Sequence, residues 1–374
     1  MTRTGLTPLR VLRLRDEPEA VIVLRFSALG DVLLTSPAIA ALRAAWPRTR
    51  IVYAIKERFT HLVAHNPHVS EVVGLREGEG PWSYAQRLRA AVGQAQSVAV
   101  LDLHGKIRSK LLRACLPPSW TRVVWHKRDL LETVPVKLGL KPHRASMLFA
   151  DRYHAAVEQL VGRTLPRGEL RAFLGAGDAA RARELLGRAG IDLARPLVGM
   201  SPGANWETKR WPAEQYAQLA RHSLASGVQV VIQGSELERD LVQRVVRAAG
   251  EVQSADGRAL RAVDLAGQLD LAALGGVVSL CTAFVANDSG PMHLSRALGV
   301  PTLALFGSTD PRMFSWTGHR VLFKSELACA PCSFFGRRRC PRGHFRCMRE
   351  LSVDEAWLAL QELLRGGARA SLSA

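Results

Sequence analysis

The chain has 374 residues, 47% of them hydrophobic and 22% charged, with a net charge of +18. That is long for a single core, comfortable for two domains and too apolar for a disordered chain. No apolar run reaches the roughly 18 residues of a membrane span, and the basic first 20 residues lack a signal-peptide core, so neither spanning nor secretion is expected.

The charge is uneven. Residues 1–150 carry 23 Lys and Arg against 11 Asp and Glu, a net +12, leaving +6 for residues 151–374. A polyanion is expected to dock on the first half, unless the cations form only a solvated face. Nucleic acid would call for aromatic platforms among the cations. Aromatics are 6% of the chain and do not alternate with Lys or Arg, so that partner is not expected.

In chain order, strands are predicted at AVIVLRF (20–26), RIVYAI (50–55), SVAVLDL (97–103), RVVW (122–125), PLVGM (196–200), VQVVIQG (228–234), AFVAND (283–288) and PTLALFG (301–307). Amphipathic stretches such as SPAIAALRAAW, PAEQYAQLARHSL and LERDLVQRVVRAA lie between them. Near-continuous apolar strands separated by helices predict parallel sheets covered on both faces. Two such runs, divided by the Gly- and Arg-rich stretch around 151–195, predict an α/β protein of two doubly wound domains facing a cleft. A last helix, 352–364, could pack back across them. Gly175-Ala176-Gly177-Asp178-Ala179-Ala180 matches a dinucleotide fingerprint but follows no buried strand, so it reads as a helix start capped by Asp178.

Open parallel sheets bind ligands at the carboxyl ends of their strands. After the first strand, RFSALGD places Gly30 and Asp31 at a strand-to-helix joint, where free N–H groups usually favour an anion. A carboxylate there repels phosphate; it is either a helix cap or a base. After PLVGM, the loop SPGANWETKRWP offers Lys209 and Arg210 before Trp211-Pro212, with Ser201 and Thr208 as hydroxyl donors: a phosphate clamp, or solvated loop charges. After AFVA, Asn287-Asp288-Ser289-Gly290-Pro291 can bind sugar hydroxyls through Asp288 and a diphosphate through the Ser289 and Gly290 N–H groups. His293 sits one turn into the next helix, a place more often filled by a packed core histidine. Gly307, Ser308 and Thr309 end another strand. Glu236 and Glu238, after VQVVIQG, can take ribose hydroxyls or simply satisfy a helix N-terminus.

Taken together, "RFSALGDVLLTSPAIAALR", "VLDLHGKIRSKLL", "SPGANWETKRWPAEQYAQLA" and "NDSGPMHLSRALGVPTLALFGSTDP" resemble, in order, glycosyltransferase family 9, the ADP-heptose:lipopolysaccharide heptosyltransferases. The resemblance implies a GT-B arrangement of two Rossmann-like domains, 1–175 for acceptor and 176–350 for nucleotide sugar, with 351–374 as helix and tail. It implies inversion at the anomeric carbon, with no cofactor required for transfer and ADP-heptose as donor. Asp31 matches the family's general base, Lys209 the lysine on donor phosphate, and Asp288 the acid on the heptose, with Ser289 and Gly290 beside the diphosphate. Ser201, Thr208, Arg210, Glu236 and His293 complete the expected donor set.

The basic first half then gains an anionic, lipid-linked saccharide acceptor, with Lys56, Arg58, Lys106, Arg108 and Lys110 around it; Asp102 and His104 could orient that loop. The implied location is cytoplasmic, peripheral on the membrane's inner face. Another nucleotide sugar within the family, or a GT-B epimerase or hydrolase, is the alternative reading. Cys329, Cys332, Cys340 and Cys347 begin with a C-x₂-C pair, half of a structural zinc or iron–sulfur site, but the second pair is spaced too widely for a usual knuckle, and reduced structural thiols are the simpler expectation. Cys115 and Cys281 read as core cysteines.

Overall fold

The computed structural model describes residues 16–125 and 148–371, the side chains of the last five of these excepted. They divide into two compact units. The first holds 16–125 and 149–170, and the chain passes into the second between Leu170 and Arg171.

In the first unit, β1 (Ala20–Leu24), β2 (Arg50–Lys56), β3 (Glu71–Leu75), β4 (Val98–Asp102) and β5 (Thr121–Val124) form one parallel sheet in the order β3-β2-β1-β4-β5. All five residues of both β1 and β4 are buried, as covering by helices on both faces requires. Helices Ser36–Ala45 and Phe149–Val161 pack on each other, as do Pro81–Val92 and Ile107–Ala114. Right-handed crossovers over this strand order place the two pairs on opposite faces. The core gathers Ile22, Leu24, Phe26, Val52, Tyr84, Leu88 and Val100.

The second unit repeats the plan with β6 (Leu197–Ser201), β7 (Gln229–Ile232), β10 (Val263–Asp264), β11 (Ala283–Asn287), β12 (Thr302–Phe306) and β13 (Arg320–Phe323), ordered β10-β7-β6-β11-β12-β13 and all parallel. A small antiparallel hairpin joins β8 (Glu251–Gln253) to β9 (Ala259–Arg261). The Val353–Ser371 helix packs on the Ala213–Ala225 helix and against β11, β12 and β13. The core here includes Val198, Met200, Trp211, Tyr216, Val230, Val285, Leu303 and Leu360. Both sheets are therefore doubly wound, as the alternating pattern predicts.

All eight predicted strands form. The differences lie at ends and edges: β3, β10, β13 and the β8–β9 hairpin had no sequence signal. The fingerprint-like segment does start a helix, Asp178–Arg188, but Gly177 occupies the cap and Asp178 stands one residue inside. Its buried carboxylate accepts from the Gly175 N–H at 2.7 Å, which tightens the turn as a cap would.

Candidate active site

Each sheet reverses its strand order once, between β1 and β4 in the first unit and between β6 and β11 in the second. Loops leaving those neighbouring strands diverge and open a crevice, the place where such sheets hold ligands.

At the first switch point, β1 runs into Arg25, a cation that the burial of its strand carries inside; it is 4% exposed. Its guanidinium ion-pairs with Asp31 Oδ2, donates to the Leu103 carbonyl beyond β4 at 2.7 Å, and lies over the Tyr153 ring. Arg25 thus ties together the loops after β1 and β4. Asp31 sits in the first turn of the short Leu29–Leu33 helix, where its carboxylate also accepts the Ala28 N–H at 3.4 Å. The carboxylate is 40% exposed while its partner is buried. It is oriented from below and open to solvent.

The β4 loop is held by Asp102, fully buried, whose Oδ1 accepts the His104 and Gly105 N–H groups at 2.9 Å each and whose Oδ2 pairs with Arg113. Asp102 is a loop support. His104 packs on Phe26 with ring centroids 4.9 Å apart, and burial, with Arg25 and Lys106 adding to it, pushes its imidazole down to about 3, so it is neutral near pH 7. Beside it opens a cavity of about 560 Å³ lined by Phe26, Ser27, His104, Gly105 and Ile107 and by the cations Lys56, Lys106, Arg108 and Lys110. Burial, then the nearby Arg58 and Arg108, lowers the Lys56 pKa. Four of the five cations expected around an acceptor line this cavity; Arg58 stands beside Lys56, over the Phe59 ring, without lining it.

At the second switch point, Asn287 bridges the two loops: its side-chain oxygen accepts the Trp211 N–H at 3.1 Å and its amide donates to the Pro202 carbonyl at 2.8 Å. This brings Lys209 Nζ to 2.6 Å from Asp288 Oδ2, both side chains being largely buried. Thr309 donates to the same oxygen at 2.7 Å. Burial raises the Asp288 pKa, but Lys209 and then His293 outweigh it and hold the carboxyl below its usual range. Ser289 caps the Gly290–Ala297 helix with its hydroxyl buried and without a hydrogen-bond partner in the described structure, and the first-turn N–H groups of that helix follow. His293 is 6% exposed and packs edge-on against Phe314.

Other expected donor residues have internal roles. Thr208 spends its hydroxyl on Ser308 and on the Arg337 backbone, Arg210 pairs with Glu207 and donates to the Ala204 carbonyl, and Ser201 is buried at the end of β6. Glu236 is exposed and paired with Arg239 at 2.6 Å, which lowers its pKa. Glu238 instead folds back on Ser235, accepting from both its N–H and its hydroxyl, and lies against Gly203 so closely that a Cβ there would fall 1.9 Å from Oε1. Of the two acids, Glu238 reaches the switch point.

Burial, with the neighbouring cysteines adding to it, raises the Cys332 thiol and pushes the Cys347 thiol up to about 12. Among the described residues no three of these sulfurs come within 4.8 Å of one another, and Cys329 lies 3.7 Å from His344 Nε2. As they stand, the thiols do not gather into a metal's ligand set. Cys281 is a buried core thiol, whereas Cys115 is half-exposed, at the end of an outer helix.

The sequence assigns no role to Arg25, Asn287 or Thr309, and offers Glu238 beside Glu236 without choosing between them. Arg25 carried a signal, a lone cation ending an apolar strand run. Glu238 carried only its place one turn past a strand end.

Comparison with known proteins gives the family. The family model "Glycosyltransferase family 9 (heptosyltransferase)" matches residues 85–338. The chain is similar to lipopolysaccharide heptosyltransferase 1 of Pseudomonas aeruginosa, at 29% identity over 83% of this chain and 85% of that one. It is similar also to lipopolysaccharide heptosyltransferase 2 of Salmonella typhimurium, at 25% identity over 80% and 86%. In structure it is similar to a family 9 glycosyl transferase from Veillonella parvula (TM-score 0.75, 24% identity, 93% of this chain and 97% of that one) and to E. coli ADP-heptose lipopolysaccharide heptosyltransferase II (TM-score 0.71, 22% identity, 93% and 99%). With the two doubly wound domains of the GT-B fold and a family match across most of its length, the chain belongs to glycosyltransferase family 9 and is a glycosyltransferase.

Proposed function

We propose that this enzyme moves a heptose from ADP-heptose to an anionic, lipid-linked saccharide of the lipopolysaccharide inner core, with inversion at the anomeric carbon and Asp31 as general base. One observation carries the reading. The two switch points hold carboxylates in opposite states, one open beside a cationic cavity and one buried against a lysine.

In the first unit the cationic cavity suits phosphates and acidic sugars of the acceptor, and Asp31 suits the attacking hydroxyl. As that oxygen bonds to the anomeric carbon its proton passes to the Asp31 carboxylate, a transfer worth about 10²–10⁴ in rate. The bond from the anomeric carbon to the diphosphate oxygen breaks, and ADP departs with the electron pair. Lys209 and the N–H groups at Ser289 and Gly290 would meet its charge. Asp288, kept ionised by Lys209, suits the sugar hydroxyls. The name of the family model and the relatives' names support heptose and lipopolysaccharide. Action on a lipid-linked acceptor made inside the cell would set the enzyme on the cytoplasmic membrane face; among the described residues no helix is long and apolar enough to cross a membrane.

Calorimetry with ADP-heptose and ADP against UDP- and GDP-sugars tests the donor half. ADP ligands should bind, Lys209→Ala should weaken them and Asp31→Ala should not. Binding of another nucleotide in their place would keep the family and overturn the heptose assignment. Donor turnover without acceptor would instead favour a hydrolase or epimerase.

A further inference from the structure

Seven large apolar side chains are exposed among the described residues, and all three that belong to the first unit lie on two helices packed against each other: Trp82 (60% exposed) on Pro81–Val92, and Ile107 (74%) and Leu111 (55%) on Ile107–Ala114. Ile107 and Leu111 are four residues apart and share a face. Ser109 and Leu112, on the opposite side, are buried. The apolar pair therefore points away from the core, and among the described residues of this unit nothing covers it. Lys106, Arg108 and Lys110 are interleaved with it and all exposed. Both helices begin where the chain leaves the carboxyl edge of the sheet, Trp82 in the first turn of one and Ile107 at the start of the other, beside the cationic cavity. The nearby carboxylates do not cancel the cations: Glu79 is taken by Arg87 at 2.9 Å, and Glu77 acts on Lys56, where Arg58 and Arg108 oppose it.

We propose that Trp82, Ile107 and Leu111, set among these cations, form the surface by which the enzyme docks on an anionic lipid bilayer. An exposed apolar pair at helical spacing, a tryptophan and interleaved Lys and Arg is the composition of an interfacial helix: the apolar side chains enter the headgroup boundary while the cations meet lipid phosphate. Three shallow insertions give reversible binding, and salt weakens the electrostatic share. Docked this way, the cavity beside Asp31 lies next to the lipid surface. That consequence rests on the proposed function; the docking itself does not.

Co-sedimentation of the full-length chain with phosphatidylglycerol-containing vesicles, free of any saccharide acceptor, tests it against phosphatidylcholine vesicles. Binding is expected to the anionic vesicles alone, to fall with salt, and to drop roughly tenfold for Leu111→Asp and again for Trp82→Ala. Both variants change exposed positions and should melt as the wild type does, and Leu111→Asp should keep its turnover on a lipid-free acceptor. Three results would overturn the docking surface: no wild-type binding, equal binding to phosphatidylcholine, or undiminished binding by both variants. A wild-type dimer that Leu111→Asp makes monomeric would assign the patch to a second copy instead. If ADP ligands fail to bind while vesicle binding holds, the donor assignment falls and the docking surface stands.

Discussion

Each switch point pairs a carboxylate with a buried cation, yet the two differ in how far the carboxylate is buried. In the first, Arg25 is inside and the Asp31 carboxylate is 40% exposed; in the second, Asp288 and Lys209 are both shielded, at 8% and 13%. A carboxylate open to solvent and fixed from behind can take a proton. A buried one locked to a lysine is a fixed charge that can orient hydroxyls. One topology thus holds an open acid and a shielded acid, each over a buried cation, and the burial of the carboxylate itself separates them.

The sharpest way to break this comparison is to remove each acid's function separately. Asp31→Asn should lower the transfer rate by about 10²–10⁴ and leave donor affinity within error, read by steady-state rates and calorimetry. A comparable loss of donor affinity would mean that Asp31 belongs to the donor site and that the contrast is wrong.

Removing Lys209 should cost nearly as much, and in a different quantity. Lys209→Ala leaves Asp288 buried without its cation, so the second unit should lose about 3 kcal/mol of stability as well as donor affinity. Adding Asp288→Asn should restore much of the stability, because the uncompensated charge is gone, but not the affinity. Denaturant melts of the three variants check this. If Lys209→Ala melts like the wild type, the pair is not the fixed charge described above.

How far this was legible in the sequence depends on burial too. Central strands such as AVIVL and VAVLD are covered on both faces and read as unbroken apolar runs. Edge strands are half-covered: β3 opens with Glu71, paired to Arg50 at 2.6 Å, and contains Gly74, while β13 opens with an exposed Arg320. Nothing periodic marks them. Asp31, Lys209 and Asp288 were legible because they stand at the ends of readable strands. Thr208 and Arg210 stood in an equally readable loop, yet their partners, Ser308, Arg337, Glu207 and Ala204, are set by three-dimensional packing, some of them a hundred residues away. Loop position marks a residue as near the site; it does not say which way the side chain turns.

Acid adds a further effect in the first unit. The folded state keeps His104 neutral down to about 3, whereas the unfolded chain takes up the proton near 6.5. Stability of the first unit should therefore fall as pH drops from about 6.5 toward 3, by at most about 1.4 kcal/mol per pH unit from this group. His104→Gln should flatten the difference between melts at neutral and acid pH. An unchanged slope would mean that His104 is not held neutral.

The smallest change tests whether Glu238, and not Glu236, serves the donor site. In Gly203→Ala the new Cβ would overlap Glu238 Oε1, so the flexible acid must swing out and release the Ser235 N–H and hydroxyl. Those bonds face solvent at the other side, so the stability cost should be only about 1 kcal/mol, a shift of a few degrees in melting. Donor affinity is the more telling readout. If Glu238 contacts the nucleotide, Gly203→Ala and Glu238→Gln should weaken ADP alike, while Glu236→Gln, which disturbs only a surface pair with Arg239, should not. Weakening by Glu236→Gln alone would move the contact back to the outer acid and leave Gly203 as a packing requirement of the β6 loop.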